Sequence, residues 1–527
     1  MILRFAAVIV SALLLSAGWL GMTGLTLFAA FIPLLWISSS YDASRRSWWC
    51  VFGWAALTFA LWNALTIWWI WFATPVGPFA ATLASTFLNM IAFMLFHTVS
   101  KKAPKALAYT LLVAAWIATE YWYTVGEFSW PWLILGNGFS HDVRLVQWYE
   151  YTGVFGGSLW VLVVNILLFE AWRAPRRIAR WVVALSVLFL PMVVSGILYF
   201  NYKAPNQGSI RVSVIQPNVD CYDKFHGGTE WQERNIIALL GEVPSDAQFI
   251  ALPETAVPNY YWEPQLSATP YFNITAPMWV EITDSMRSQH PNALLVTGAN
   301  TKRAYAAGMQ TSTARSDQSG GWYDHFNTAV GLDTTARLQL HHKGRLVIGA
   351  EKTPLPWLFK WLDFLVIDLG GTLGQLGVGQ TGTVFEHEGA QIGPAICYEG
   401  LYGDFYGDFV RRGAQAMFII SNDGWWGNTL GYKHLFSISR LRAVEHRRAI
   451  ARSANTGISG FIDARGDVRE TLGWEQRGVL TDTVALNMEQ TLYTRCGDYI
   501  GRLAQYLMLL CVLYYIAYRA KKKNHLV

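Results

Sequence analysis

The chain has 527 residues, of which 53% are hydrophobic, 15% aromatic and 15% charged, with a formal net charge of +5. A mean hydropathy of +0.23 at this length excludes a wholly soluble chain and calls for an integral membrane protein with room for a separate soluble domain. The excess positive charge lies largely in loops between apolar segments, which removes the need for a nucleic-acid partner. The five cysteines are too few for a disulfide scaffold.

Apolar segments long enough to cross a bilayer run over 3–19, 22–39, 48–72, 79–99, 106–125, 153–171 and 179–200, and an eighth covers 500–518. The first resembles a signal peptide. A second span follows it at once without a clear cleavage site, so it reads as an anchor. Basic residues cluster after the second span (Arg45, Arg46), the fourth (Lys101, Lys102, Lys105), the sixth (Arg173, Arg176, Arg177, Arg180) and the eighth (Arg519, Lys521, Lys522, Lys523). With a cytoplasmic N-terminus, eight spans put every cluster inside. The expected layout is a seven-span domain over 1–200, an extracytoplasmic domain over 201–499, and an eighth span with a basic cytoplasmic tail over 500–527. Cys221 and Cys496 flank the middle domain on its oxidising side, which leaves a disulfide open. Cys50 and Cys511 read as apolar fillers. Trp130 and Trp132 read as an interfacial belt, and Glu120 is a costly ionisable group inside a span.

Short apolar runs follow at 210–216, 247–253, 292–299, 327–333, 336–343, 391–398, 414–422 and 458–466, with helical patterns at 228–241, 275–289 and 432–450. Such alternation predicts two sheet layers flanked by helices. No repeat of fixed period and no metal-spaced His/Cys cluster interrupts it. Three runs end in chemistry: FIALPETAVP carries Glu254, LQLHHKGRLV carries Lys343 and QIGPAICYEG carries Cys397. Strand ends are where an α/β sheet presents side chains to a cleft. A carboxylate, an ammonium and a thiol delivered there supply a base, an oxyanion partner and a nucleophile, and so predict acyl transfer through a thioester. The ammonium is also expected to favour the thiolate.

LPETAVP, HHKGRLV and AICYEG, in that order, resemble the Glu–Lys–Cys signature of the carbon–nitrogen hydrolase (nitrilase) superfamily. The surrounding spans, with SWPWLILGN, SVIQPNV, SNDGWWGN and RSANTGIS, narrow the resemblance to its membrane-embedded apolipoprotein N-acyltransferase branch. That resemblance implies an αββα sandwich beside a multi-span α-helical membrane domain, in a bacterial inner membrane, working as a monomer without cofactor or metal. It implies transfer of a fatty acyl chain from a phospholipid such as phosphatidylethanolamine to the α-amine of diacylglyceryl cysteine on an apolipoprotein, the last step of lipoprotein maturation. Cys397, Glu254 and Lys343 take the roles of nucleophile, general base and oxyanion stabiliser.

Supporting positions are less determined. Glu351 in GAEKTPLP resembles the family's second glutamate, in a motif that departs from the commoner form. Tyr398 and Glu399 either support the nucleophile or are structural. Asn422, Trp425 and Trp426 either line the cleft or pack the core. Over 355–369 an apolar stripe beside Trp357 and Trp361 reads either as a mobile arm on the lipid surface or as a packed amphipathic helix. A membrane-anchored amidase using the same three residues is the alternative enzyme, and a transporter or receptor with an inert outer module is the alternative class.

Overall fold

The computed structural model describes residues 1–222, 224, 230–263, 277–317, 320–335, 337–352 and 375–524. Trp357 and the expected arm over 355–369 lie outside the described residues. The chain divides into two compact units, one built from Met1–Asn201 with Cys496–Val527, the other from Tyr202–Arg495.

The first unit is helical: α1 (Ile2–Ser16), α2 (Leu27–Ala30), α3 (Ile32–Ser39), α4 (Arg45–Ile67), α5 (Gly77–Ser100), α6 (Lys105–Val125), α7 (Tyr149–Trp172), α8 (Ile178–Asn201) and a last helix, Tyr499–Asn524. Five are long and apolar enough to cross a membrane: Arg45–Phe72, Gly77–Ser100, Tyr149–Trp172, Ile178–Asn201 and Tyr499–Lys522. The expected span over 22–39 is not one straight helix. Pro33 in the first turn of α3 has no N–H to continue the ladder of α2. Asn165 of α7 fills the break, accepting from the Phe31 N–H at 2.8 Å and donating to the Leu27 carbonyl at 2.7 Å. Nor is Trp132 part of an interfacial belt. It is buried, its ring 5.1 Å from that of Trp69, and its carbonyl accepts from the Trp19 indole. Glu120 is buried as well, accepting from the Leu135 N–H at 2.8 Å and the Trp116 indole at 3.0 Å, so it serves to hold the turns that follow α6.

The second unit holds two sheets. The first runs in the order β14-β1-β2-β4-β6-β5, with β3 also paired to β4 and β7 to β6. Its strands are β1 (Ser209–Gln216), β2 (Phe249–Ala251), β3 (Val257–Trp262), β4 (Leu294–Tyr305), β5 (Arg315–Ser316), β6 (Trp322–Leu332), β7 (Leu338–His342) and β14 (Gly478–Ala485). The second runs β13-β12-β11-β10-β9-β8, from β8 (Phe385–His387), β9 (Ala390–Ile396), β10 (Ala416–Ser421), β11 (Ile450–Ala454), β12 (Ser459–Ile462) and β13 (Val468–Leu472). At the heart of each sheet three neighbours run parallel: β1-β2-β4 and β9-β10-β11. Parallel strands covered on both faces read as continuous apolar runs rather than alternation.

The sheets face each other. Phe249 of β2 meets Phe418 of β10 with ring centroids 5.6 Å apart, and the Ser453 hydroxyl of β11 donates to the Ile215 carbonyl of β1. Over the outer side of the first sheet lie α9 (Glu230–Leu240) and α10 (Pro277–Gln289). They bury Ile236, Leu239, Trp279 and Ile282 against Ile250 and Leu295. Helices Gly403–Arg411 and Leu430–His446 cover the second sheet, Phe409 packing directly on Gly393 of β9. The architecture is a four-layer helix–sheet–sheet–helix sandwich. All five cysteines, Cys221 and Cys496 among them, are free thiols.

Candidate functional site

Four parallel or edge strands end on the same polar cluster. Glu254 follows β2 and Lys343 follows β7, both in the first sheet, while Cys397 follows β9 and Asn422 follows β10 in the second. The Lys343 ammonium donates to Glu254 Oε1 at 2.8 Å and to Glu351 Oε1 at 2.8 Å. The Asn327 amide of β6 donates to the same two oxygens, at 2.7 and 3.1 Å. From the second sheet, the Asn422 N–H donates to Glu254 Oε2 at 3.0 Å. Glu351 Oε2 accepts from the Val347 N–H at 2.8 Å, which fixes that carboxylate within its own loop. Lys343 and Glu254 are both buried, at 1% and 5% exposure, so the pair is shielded from solvent screening.

Electrostatics follow from this packing. Burial alone would raise the Glu254 carboxyl, but the Lys343 charge and the donors Lys343, Asn327 and Asn422 hold it below the usual carboxylate range. Burial alone would lower Lys343, but Glu254, Glu351 and Cys397 hold it well above the usual ammonium range. Cys397 behaves differently. Burial, and next the Glu254 charge, push its thiol far up, and the opposing pull of Lys343 with a hydrogen bond to Ser421 does not offset them. The nearby ammonium does favour the thiolate, as expected, but burial and the Glu254 charge outweigh it and hold the thiol above its ordinary value.

Cys397 stands on a sharp elbow. Its φ of 45° lies in the left-handed region, at the start of the tight turn Cys397–Leu401. For a non-glycine residue such a conformation costs on the order of 1–3 kcal/mol and persists only where surroundings over-determine it. Glu399 provides that constraint. Its fully buried carboxylate accepts from the Ile396 N–H at 2.7 Å, the Gly344 N–H at 2.6 Å and His341 Nε2 at 3.1 Å. One side chain thereby ties the residue before the cysteine to the residue after the lysine.

The remaining predicted positions divide. Tyr398 is buried and packs its ring 5.4 Å from that of Tyr402. The Asn422 side-chain oxygen accepts from the Asn455 amide at 3.1 Å, and it is the main-chain N–H of Asn422 that bonds Glu254. Trp425 is half-buried, edge-on to Tyr222 at 5.4 Å, and Trp426 is buried.

Sequence reasoning missed Asn327, His341, Lys224 and the buried Asp423–Arg452 pair. Asn327 opens the β-type run NTAVGLD, and in the structure it stands mid-strand in β6, a place where Asn is depleted, so the run's first residue was the available signal. Arg452 Nη1 and Nη2 grip both Asp423 oxygens at 2.9 Å, and the Ser421 hydroxyl adds a third bond at 2.6 Å. That grip fixes the turn carrying the Asn422 N–H. Among the described residues no His/Cys/Asp/Glu group has metal-site geometry. A thiol, a paired carboxylate and an ammonium gathered out of water can carry out covalent acyl chemistry.

Residues 211–493 match the carbon-nitrogen hydrolase family, and residues 11–167 match the apolipoprotein N-acyltransferase N-terminal domain. A protein of Chlorobaculum tepidum called apolipoprotein N-acyltransferase is 28% identical over 491 residues, covering 89% of this chain and 88% of that protein. Its namesake in Geobacter metallireducens is 27% identical over 401 residues, covering 73% and 69%. Among solved structures, a CN-hydrolase superfamily protein of Xanthomonas campestris aligns with a TM-score of 0.36 at 15% identity, over 57% of this chain and 97% of that one.

Proposed function

The chain belongs to the carbon–nitrogen hydrolase family, and from that premise we propose that it moves a fatty acyl chain from a membrane phospholipid, of the phosphatidylethanolamine type, to the N-terminal α-amine of S-diacylglyceryl-cysteine on apolipoproteins, the last step of their maturation. It is an acyltransferase, in keeping with the relatives of that name and with the match of residues 11–167. The observation that carries the reading is the Glu254–Lys343 pair, at 2.8 Å, set beside the strained elbow of Cys397.

Burial pushes the thiol up, so in this reading Glu254 takes its proton as Sγ attacks the ester carbonyl carbon. The carbonyl electrons move onto oxygen, where the Lys343 ammonium meets the charge; a single such donor is worth about 3–4 kcal/mol. The ester C–O bond then breaks, and the proton held by Glu254 passes to the departing lysophospholipid hydroxyl. In the second half the lipoprotein amine attacks the thioester, Glu254 accepts its proton, the C–S bond breaks and the thiol is reprotonated. The lysophospholipid product leaves before the amine reacts, so the kinetics are ping-pong.

Supporting roles follow from contacts. Glu351 orients Lys343, Glu399 holds the elbow, Tyr398 packs behind it, and Trp425 and Trp426 lie beside the turn of Asn422. Both substrates carry acyl chains that leave a bilayer at a cost of about 0.8 kcal/mol per CH₂. Spans over 1–200 and 500–527 therefore keep the 201–499 domain at the lipid surface, on the extracytoplasmic side, with both termini cytoplasmic. Exclusion of water from the buried cluster protects the thioester.

Purified protein incubated with phosphatidylethanolamine gains an acyl-sized mass on the peptide containing Cys397, and Cys397→Ala loses both that mass and the transfer. No adduct, together with unchanged transfer by Cys397→Ala, rejects the mechanism.

A further inference from the structure

Glu254 occupies the second position of a tight turn, Pro253–Ala256, closed by the Ala256 N–H on the Pro253 carbonyl at 3.3 Å. The third position, Thr255, has φ +50°, whereas Glu254 is not among the residues of positive φ. This is the pattern of a type II turn, whose third position demands left-handed backbone and therefore favours glycine. A β-branched residue there is an outlier that something must hold in place. A type II turn differs from type I in the direction of its middle peptide, here that of Glu254–Thr255. A donor placed on the middle carbonyl selects the flipped form.

That donor is present. Lys224, 2% exposed, donates from Nζ to the Glu254 carbonyl at 3.0 Å and to Thr255 Oγ1 at 2.9 Å, while its own carbonyl accepts from the Gln232 amide at 2.7 Å. On β4, Gly298 leaves no slack for the turn. An added Cβ there would stand 2.3 Å from the Thr255 nitrogen and 2.6 Å from the Glu254 Cα. We propose that Lys224 is a positioning residue: a buried amine that clamps the Glu254–Thr255 peptide in its flipped orientation and so aims the Glu254 carboxylate at Lys343 and Cys397. It touches no reacting atom and differs in this from Lys343, which holds the carboxylate itself. Burial pulls Lys224 down to about 7 against the opposing charges of Glu254 and Cys221. Both its charged and its neutral forms keep enough N–H groups for the two bonds.

The inference rests on the base role proposed for Glu254, and its test uses the full-length protein in detergent with phosphatidylethanolamine as donor. Lys224→Met lowers kcat about 100-fold, the cost of a misplaced catalytic group, with KM within about twofold of wild type. Thr255→Gly alone stays within about threefold, because glycine adopts the required φ unaided. The double variant regains about tenfold or more over Lys224→Met, since it no longer needs the clamp. The melting temperature follows the same order. Wild-type kcat in Lys224→Met, or a double variant no better than Lys224→Met, overturns the inference. If Lys224→Met does not fold, a folded and active double variant supports the clamp, and a double variant that also fails to fold overturns it. A wild-type protein without any transfer counts against the proposed function instead, and the melting temperatures then decide the clamp alone.

Discussion

The two units differ in what one exposes and what the other hides. In the helical unit, α8 exposes Val182, Phe189, Leu190, Val193, Ile197 and Phe200, and only 11% of its apolar window is buried, against 67% for α7. In the sheet unit the largest fully buried side chains include Arg442, Arg448 and Arg452. One unit presents an oily exterior, which is stable only in lipid. The other hides charges, which is tolerable only where each is paired and hydrogen-bonded. The same physical rule yields both patterns once the surrounding solvent is changed, so exposure of a leucine carries different meanings in the two halves of one chain.

The comparison can be broken most forcefully inside the sheet unit. Arg452→Met leaves the Asp423 carboxylate buried without its bidentate partner, and chemical denaturation of the full chain should lose about 3–5 kcal/mol. Next comes the site. Lys343→Met removes the cation between Glu254 and Glu351 and should cut kcat about 100- to 1000-fold. The pH dependence of melting separates this pair from the rest. Glu254 is held below its ordinary 4.5, so its contribution is present above that value and lost as pH falls through the lowered one. Lys343 is held above its ordinary 10.5, so its contribution is full below that value and lost as pH rises through the raised one. The stability difference between wild type and Lys343→Met should therefore be flat between those limits and shrink outside them.

Two surface substitutions sharpen the contrast at smaller scale. Leu190→Arg places a charge on the outward face of α8, where Leu190 is 63% exposed, and should cost about 2.5–3.5 kcal/mol in a membrane-insertion assay. Val468→Lys on β13, where Val468 is 37% exposed, should change stability by no more than about 0.5 kcal/mol. Equal effects at the two positions would mean that both faces meet the same solvent.

The sandwich was legible because most of its central strands carry largely apolar runs: VSVI, FIA, AI and MFII need no alternation to be seen. What escaped had no such signature. β13 reads Val-Arg-Glu-Thr-Leu and is largely exposed, so neither hydrophobicity nor period marks it. β11 begins only where the expected helix over 432–450 ends, and its sequence Ile-Ala-Arg-Ser-Ala carries no apolar run; the helix itself stops earlier, at His446, with Arg447 at φ 49° where a glycine stop is usual. The break before α3 had a local sign in Pro33, but the group that fills it, Asn165, lies far along the chain and declares nothing locally. In the cluster, Glu254, Lys343 and Cys397 announced themselves as charged or nucleophilic residues at run ends. Asn327, Lys224 and Arg452 act through contacts that exist only after the strands are assembled.

The state of the Cys397 sulfur has a consequence for survival of the idle protein. Peroxides and disulfides consume exposed thiolates, and Cys397 is 6% exposed, with burial pushing its thiol up, so both access and charge work against them.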